Sequence, residues 1–196
     1  IGTGKGVAGC VVAMNVKDGS IAVLANFPTF SPANFVGGIS QSIWDMYNTS
    51  ESQYPLLNRA IAGTYPAAST MKAFSGLAGL KYGFATEEST WECGGSWDGF
   101  NSGDVQKCWL RTGHGTETFH DSIVDSCDIT FYEIAKDFWD AGQAGKISET
   151  ALQDEIKRYH FGSTSGIDIT GEAAGRIPTP EWNKDFFKDT PEEASW

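Results

Sequence analysis

Residues 6–27 most narrow what this chain can become. GVAGCVVAM and SIAVLANF are short apolar runs rich in β-branched residues, separated by NVKDG, whose Asp18-Gly19 pair is a hairpin-turn signal. They predict two paired strands. From Ser69 the apolar period changes: Met71, Phe74, Leu77 and Ala78 recur at helical spacing, Ser69 is a good helix-starting residue and Gly83 a stop. A second helical region is expected from Glu117 to Trp139, a third within ETALQDEIKRYHFG, and a short helix in SIWDMYN. PTFSPANFVGG reads as a loop, CGGSWDGFNSGDVQKCWLRTGHG as a loop or small extended insert, and the tail TSGIDITGEAAGRIPTPEW as loop and short strand. Two strands in residues 1–30, then mainly helical sequence in 31–196, imply an α+β domain with a helical subdomain beside a sheet.

Composition removes several function classes. With 40% hydrophobic residues in 196, the chain can bury a core, and it holds no apolar run long enough to span a membrane. The net charge of −11 comes from scattered acids and a denser terminal run, KDTPEEASW, with no basic stripe, so nucleic acid is not an expected partner. The start lacks both Met and the order of a signal peptide, so the expectation is a piece of something longer.

GTYPAASTMKAF places Ser69 three residues before Lys72 at the mouth of the main helix. Residues i and i+3 share a helix face, which puts an amine beside a hydroxyl. A serine becomes a nucleophile when a base takes its proton, and a lysine can be that base when burial and neighbouring positive charge make it neutral. S-x-x-K also arises by chance about once in a few hundred residues, and a capping serine with a solvated lysine is the plain alternative. A second element, DSCDITFYEIA, offers Ser126 and Asp128 two apart; alone, these residues also serve to break or cap helices.

Together, PLLNRAIAGTYPAASTMKAF, GHGTETFHDSIVDSCDITFYEIA, FGSTSGIDITGEAAGRIPTPEW and the opening VVAMNVKDGSIAVLANFPTFSPANF resemble the transpeptidase domain of class B penicillin-binding proteins. The elongation type, which serves rod-shape wall synthesis, is the most similar. The resemblance runs over essentially the whole chain, in the family's order. It implies the penicillin-binding transpeptidase or serine β-lactamase-like fold, incomplete here, with Ser69 as acylated nucleophile, Lys72 as general base, and Ser126 and Asp128 as the second motif. In that motif the serine relays protons and the polar residue helps hold Lys72 and substrate. The implied substrates are peptidoglycan stem peptides, whose penultimate D-Ala carbonyl acylates Ser69 before transfer to an amine of a neighbouring peptide; β-lactams acylate the same serine. Elongation-complex membrane proteins are the implied partners, and the extracytoplasmic face of a bacterial membrane the implied location.

Three features depart from the family pattern. Asp128 stands where S-x-N is usual, although the aspartate form also occurs in elongation-type members. Ala67-Ala68 replaces the usual Pro-Gly. The third motif, K-[ST]-G, is absent. That strand supplies an oxyanion-hole N–H, and losing one such donor costs on the order of 100-fold in rate. The polypeptide alone is therefore expected to be a poor catalyst. Rival readings are a β-lactamase or β-lactam sensor of the same fold, and a zinc-stabilised interaction scaffold.

Cys93, Cys108, His114 and Cys127 follow the pattern C-x14-C-x5-H-x12-C, without a C-x-x-C knuckle. Three thiols and an imidazole in one window are what a closed tetrahedral zinc site requires. The alternatives are a Cys93–Cys108 disulfide and buried free thiols. The resemblance favours zinc, since some elongation-type relatives carry a metal site at the corresponding positions with other ligand types. Cys127 is the middle residue of Ser126-Cys127-Asp128, so a metal there would pin the second motif from behind. His120 is a reserve ligand, Cys10 reads as core and His160 as a surface histidine at a helix end.

Overall fold

A computed structural model describes residues 7–101 and 103–190, so most of the terminal acidic run lies outside the described residues. The chain divides into two compact units, one of Ile1–Tyr65 with Thr164–Ala174, the other of Pro66–Ser163 with Gly175–Trp196.

In the first unit, β1 (Gly9–Met14) pairs antiparallel with β2 (Ile21–Phe27), Val12 facing Leu24. The turn forms where Asp18-Gly19 predicts it. Gly19 takes φ +76°, and Asp18 accepts from the Ser20 N–H at 2.9 Å, so both residues hold a bend that β-branched neighbours would resist. The short α2 (Arg59–Ala62) packs on both strands, clamped by Asn26, whose side chain meets Asn58 at 2.9 Å and the Ala60 N–H at 3.1 Å. One turn of helix cannot cover a ribbon of two strands. β1 is consequently exposed along its length, and Cys10, expected in the core, is on the surface. The helix expected in SIWDMYN is α1 (Gln41–Tyr47), capped by Ser40; the Tyr47 hydroxyl accepts from Ser31 and Asn34 and so ties down the Pro-broken loop.

The second unit is built on α3 (Lys72–Tyr82), stopped by Gly83 at φ +77° as its sequence predicts. Its start differs from expectation. Ser69 does not cap the helix; it lies inside a 3-10 turn, Ala68–Met71, that leads into α3. The buried face is only partly the expected one: Ala78 is buried and Met71 and Phe74 half-buried as their spacing predicts, whereas Leu77 is exposed and Gly76 and Gly79 are buried. The cause is the close approach of α5 (Asp128–Gln143), whose Ile134 Cγ2 lies 3.0 Å from where a Cβ on Gly79 would be. Ile134 is wholly buried and packs with Ala78, Ala85, Phe131, Phe138 and Ala151. Each such large side chain contributes about 1.5–3 kcal/mol of transfer free energy.

The glycine-rich window is an extended insert with two nested ladders: β3 (Thr90–Cys93) pairs with β6 (Gly115–Thr118), and within them β4 (Ser96–Trp97) with β5 (Gln106–Lys107). Gly113 is required there, since a Cβ would stand 2.0 Å from the Cys93 carbonyl oxygen. The helical region expected from Glu117 to Trp139 is not continuous. Glu117 belongs to β6, and α4 (Phe119–Val124) ends before α5 begins. The third helical region shortens to α6 (Ala151–Lys157), which leaves His160 exposed beyond its end; α6 packs on α3 and α5, with Glu155 paired to Lys81. The tail, read as loop and short strand, has no strand among the described residues and ends in α7 (Pro180–Phe186), capped by Thr179.

Candidate active site and cysteine–histidine cluster

The break between α4 and α5 builds the site. Thr118 caps α4 by accepting from the Asp121 N–H at 3.1 Å, and the helix closes when the Cys127 N–H reaches the Ser122 carbonyl at 3.0 Å. Between these lies Ser126, at φ +53°, in a helix-ending position that glycine normally fills. An L-residue there costs about 1–2 kcal/mol. The turn swings the Ser126 side chain and carbonyl toward α3 and starts α5 at Asp128.

Lys72 meets that turn. Its Nζ lies 2.6 Å from the Ser126 carbonyl oxygen, 3.1 Å from Ser126 Oγ and 2.6 Å from Asp128 Oδ1, with the Phe131 ring 5.5 Å away. The ion pair is mostly buried, at 13% and 23% side-chain exposure, and Asp128 gains from the α5 N-terminus. Of the four residues singled out in the sequence, Lys72, Ser126 and Asp128 form one hydrogen-bonded cluster, and Ser69 stands exposed on the turn one step before α3. Ala68, beside it, is held at φ +49°, a glycine conformation occupied by alanine.

One contributor had no motif to announce it. The Trp109 N–H donates to Asp128 Oδ2 at 2.8 Å, and its indole Nε1 donates to the Asp125 carbonyl at 2.8 Å. Both oxygens of Asp128 are therefore engaged, one by Lys72 and one by Trp109. The only sequence signal for Trp109 is that it follows Cys108.

Cys93, Cys108, His114 and Cys127 converge, with their ligand atoms all within 4.8 Å of one another and the three sulfurs buried. Cys93 ends β3 and His114 precedes β6, so the β3–β6 ladder brings these two together; Cys108 follows β5 and Cys127 the α4 turn. His114 Nδ1 lies 3.4 Å from Cys93 Sγ and 3.6 Å from Cys108 Sγ. A tetrahedral zinc with bonds of about 2.3 Å to sulfur and 2.0–2.1 Å to nitrogen has an S–N edge of about 3.6 Å, so the spacing fits that ion. All four cysteines are free thiols, so the alternative Cys93–Cys108 disulfide is not formed. Burial pushes the Cys93 thiol up, but hydrogen bonds from the His114 backbone and ring, from Gly95 and from Cys127 outweigh it and leave the group at about 7. Burial dominates at Cys127, which is pushed up to about 11. His120 is exposed beside Asp121 and takes no part. The cluster touches the lysine site directly, since the Asp128 N–H points at Cys108 Sγ, 3.4 Å away.

Residues 9–193 match the family described as the penicillin binding protein transpeptidase domain. The chain is 33% identical over 181 residues to the peptidoglycan D,D-transpeptidase MrdA of Acinetobacter baumannii, covering 90% of this chain and 25% of that protein. It is 30% identical over 183 residues to the protein of the same name in Escherichia coli K12, covering 93% and 27%. The chain thus spans about a quarter of the length of these curated relatives. Among solved structures it resembles Pseudomonas aeruginosa PBP2 in complex with WCK 5153, with a TM-score of 0.78 and 29% identity, over 93% of this chain and 39% of that one. It also resembles Helicobacter pylori PBP2 in its complex with MreC, with a TM-score of 0.77 and 28% identity, over 91% and 32%.

Proposed function

This chain belongs to the penicillin-binding protein transpeptidase family, and from that premise we propose that it forms the acylating part of a peptidoglycan D,D-transpeptidase. Ser69 attacks the penultimate D-Ala carbonyl of a stem peptide; Lys72, acting as the neutral amine, takes its proton, which passes through Ser126 to the leaving amine. An amine of a neighbouring peptide then takes the acyl group, and a β-lactam is trapped at the first step. The observation that carries the reading is Lys72 Nζ within 3.1 Å of Ser126 Oγ and 2.6 Å of Asp128, one turn behind an exposed Ser69. A proton relay needs this contact. Ser126 pays a backbone strain to sit there, as functional residues tend to.

Cys93, Cys108, His114 and Cys127 hold a structural zinc in this reading. Bound there, the ion supplies no reaction step and closes the loop around Cys127, so that Ser126 and Asp128 keep their orientation between turnovers. The spacing of the donors and their burial support it. The Helicobacter pylori relative is known in complex with MreC, which supports a protein partner for this chain as well; elongation-complex membrane proteins as that partner, and action on the extracytoplasmic face of a bacterial membrane, follow from the family resemblance.

The test is covalent labelling of the full-length protein by a fluorescent penicillin, read by mass spectrometry. The adduct is expected on Ser69 and absent from Ser69→Ala; undiminished labelling of that variant refutes the assignment.

A further inference from the structure

Two buried polar atoms beside the cysteine–histidine cluster have no hydrogen-bond partner among the described residues: His114 Nε2 and Glu117 Oε2. His114 turns Nδ1 toward Cys93 and Cys108, so Nε2 points away from the sulfurs. Glu117 sits in β6, three residues further on, with its side chain drawn in until the residue is 3% exposed. An inward-facing glutamate in a four-residue strand is anomalous without a cation or donor to meet it.

The two orphans are of complementary kind. When Nδ1 carries a lone pair toward a ligand, the neutral ring bears its proton on Nε2 and needs an acceptor. Glu117 has an acceptor oxygen to spare, and His114 is near enough to act on it electrostatically. Burial raises the Glu117 pKa and Asp125 and Asp121 add like charge; the Ser122 hydroxyl, which hydrogen-bonds the carboxylate, offsets part of this but leaves Oε2 without a partner.

We propose that Glu117 is the positioning residue of the cysteine–histidine centre: its Oε2 accepts the His114 Nε2–H through one buried water, and so fixes Nδ1 as the ligand atom. The inference rests on the zinc reading above and adds to it the residue that orients the imidazole. Carboxylate–histidine pairs of this kind raise the basicity of the ligating nitrogen, and their loss costs about 10–100-fold in metal affinity.

The measurement is the zinc dissociation constant of the full-length protein by competition with a chromophoric chelator, for wild type, Glu117→Gln and Glu117→Ala. In parallel, long-range 15N–1H spectra of the histidine rings are recorded with and without zinc. Glu117→Ala is expected to weaken zinc binding about 10–100-fold, while Glu117→Gln, which keeps a carbonyl acceptor, restores most of it. The His114 ring should show a proton on Nε2, shifted by the carboxylate in wild type and moved in Glu117→Gln. Equal affinity in all three proteins overturns the proposal, as does an Nε2 without a proton. Should Glu117→Ala fail to fold, the Glu117→Gln affinity and the ring spectra decide alone. A wild-type protein that binds no zinc defeats the zinc reading only; the dyad is then upheld or overturned by the Nε2 proton signal and its response to Glu117→Gln.

Discussion

Replacing Asp128 by asparagine isolates the contact that joins the two parts of the site. Asp128 receives two donors on opposite oxygens, the Lys72 ammonium at 2.6 Å on Oδ1 and the Trp109 N–H at 2.8 Å on Oδ2. Asparagine offers one oxygen and one NH2 group. Whichever way its amide turns, one donor faces another donor. The favourable choice keeps the oxygen on Lys72, which still has the Ser126 carbonyl and hydroxyl as acceptors, and sacrifices Trp109. A hydrogen bond to a charged group contributes about 1.5–3 kcal/mol. Loss of the mostly buried ion pair adds to this, while relief of the carboxylate's desolvation subtracts. The net expectation is a destabilisation of about 2–3 kcal/mol. For a chain of this size each kcal/mol is worth about 2–4 °C, so Tm should fall by about 4–12 °C. Thermal unfolding followed by circular dichroism, with Asp128→Ala alongside, measures it; alanine accepts from neither donor and should fall further. An asparagine variant as stable as wild type would show that the Trp109 contact contributes nothing. The same geometry gives a physical reason for aspartate at this position, since an asparagine cannot satisfy both donors.

Protein purified without added metal should carry about one zinc per chain and show four free thiols when denatured, and chelation should lower its Tm; no metal with only two free thiols would instead mean a Cys93–Cys108 disulfide. Cys127→Ser should impair penicillin acylation of the full-length enzyme more than Cys10→Ser, because only Cys127 lies in the Ser126 turn. Ala68→Gly should stabilise by about 0.5–1 kcal/mol, the relief of an alanine at φ +49° less the extra entropy of glycine in the unfolded chain, and a Tm unchanged or lowered in calorimetry would count against strain at that residue.

The parts of the fold that were legible in the sequence are those set by local chemistry. Asp18-Gly19 bends the hairpin and Gly83 ends α3 because each supplies a backbone conformation that its neighbours resist, whatever the rest of the chain does. What failed was set by distant contacts. Leu77 has the apolar character and the period of a buried residue, yet the face that α5 selects is the one where Gly76 and Gly79 let it come close, and periodicity cannot express a preference for absent side chains. Cys10 reads as core because it lies in an apolar strand, but burial requires a covering layer, and a single turn of α2 does not provide one. The site divides along the same line. Ser69, Lys72, Ser126 and Asp128 were singled out because two short-spaced motifs, each an ordinary capping pattern alone, stood together in a resemblance to one family, and the structure gathers three of them; the four metal-binding candidates stood out because thiols clustered near one histidine are rare. The break at Ser126 was not legible, since the residues around it favour helix; only the Lys72 contact to its carbonyl, from 54 residues away, makes a left-handed serine worth keeping. Trp109 was invisible for a simpler reason: it serves Asp128 through its backbone N–H, a group every residue but proline possesses.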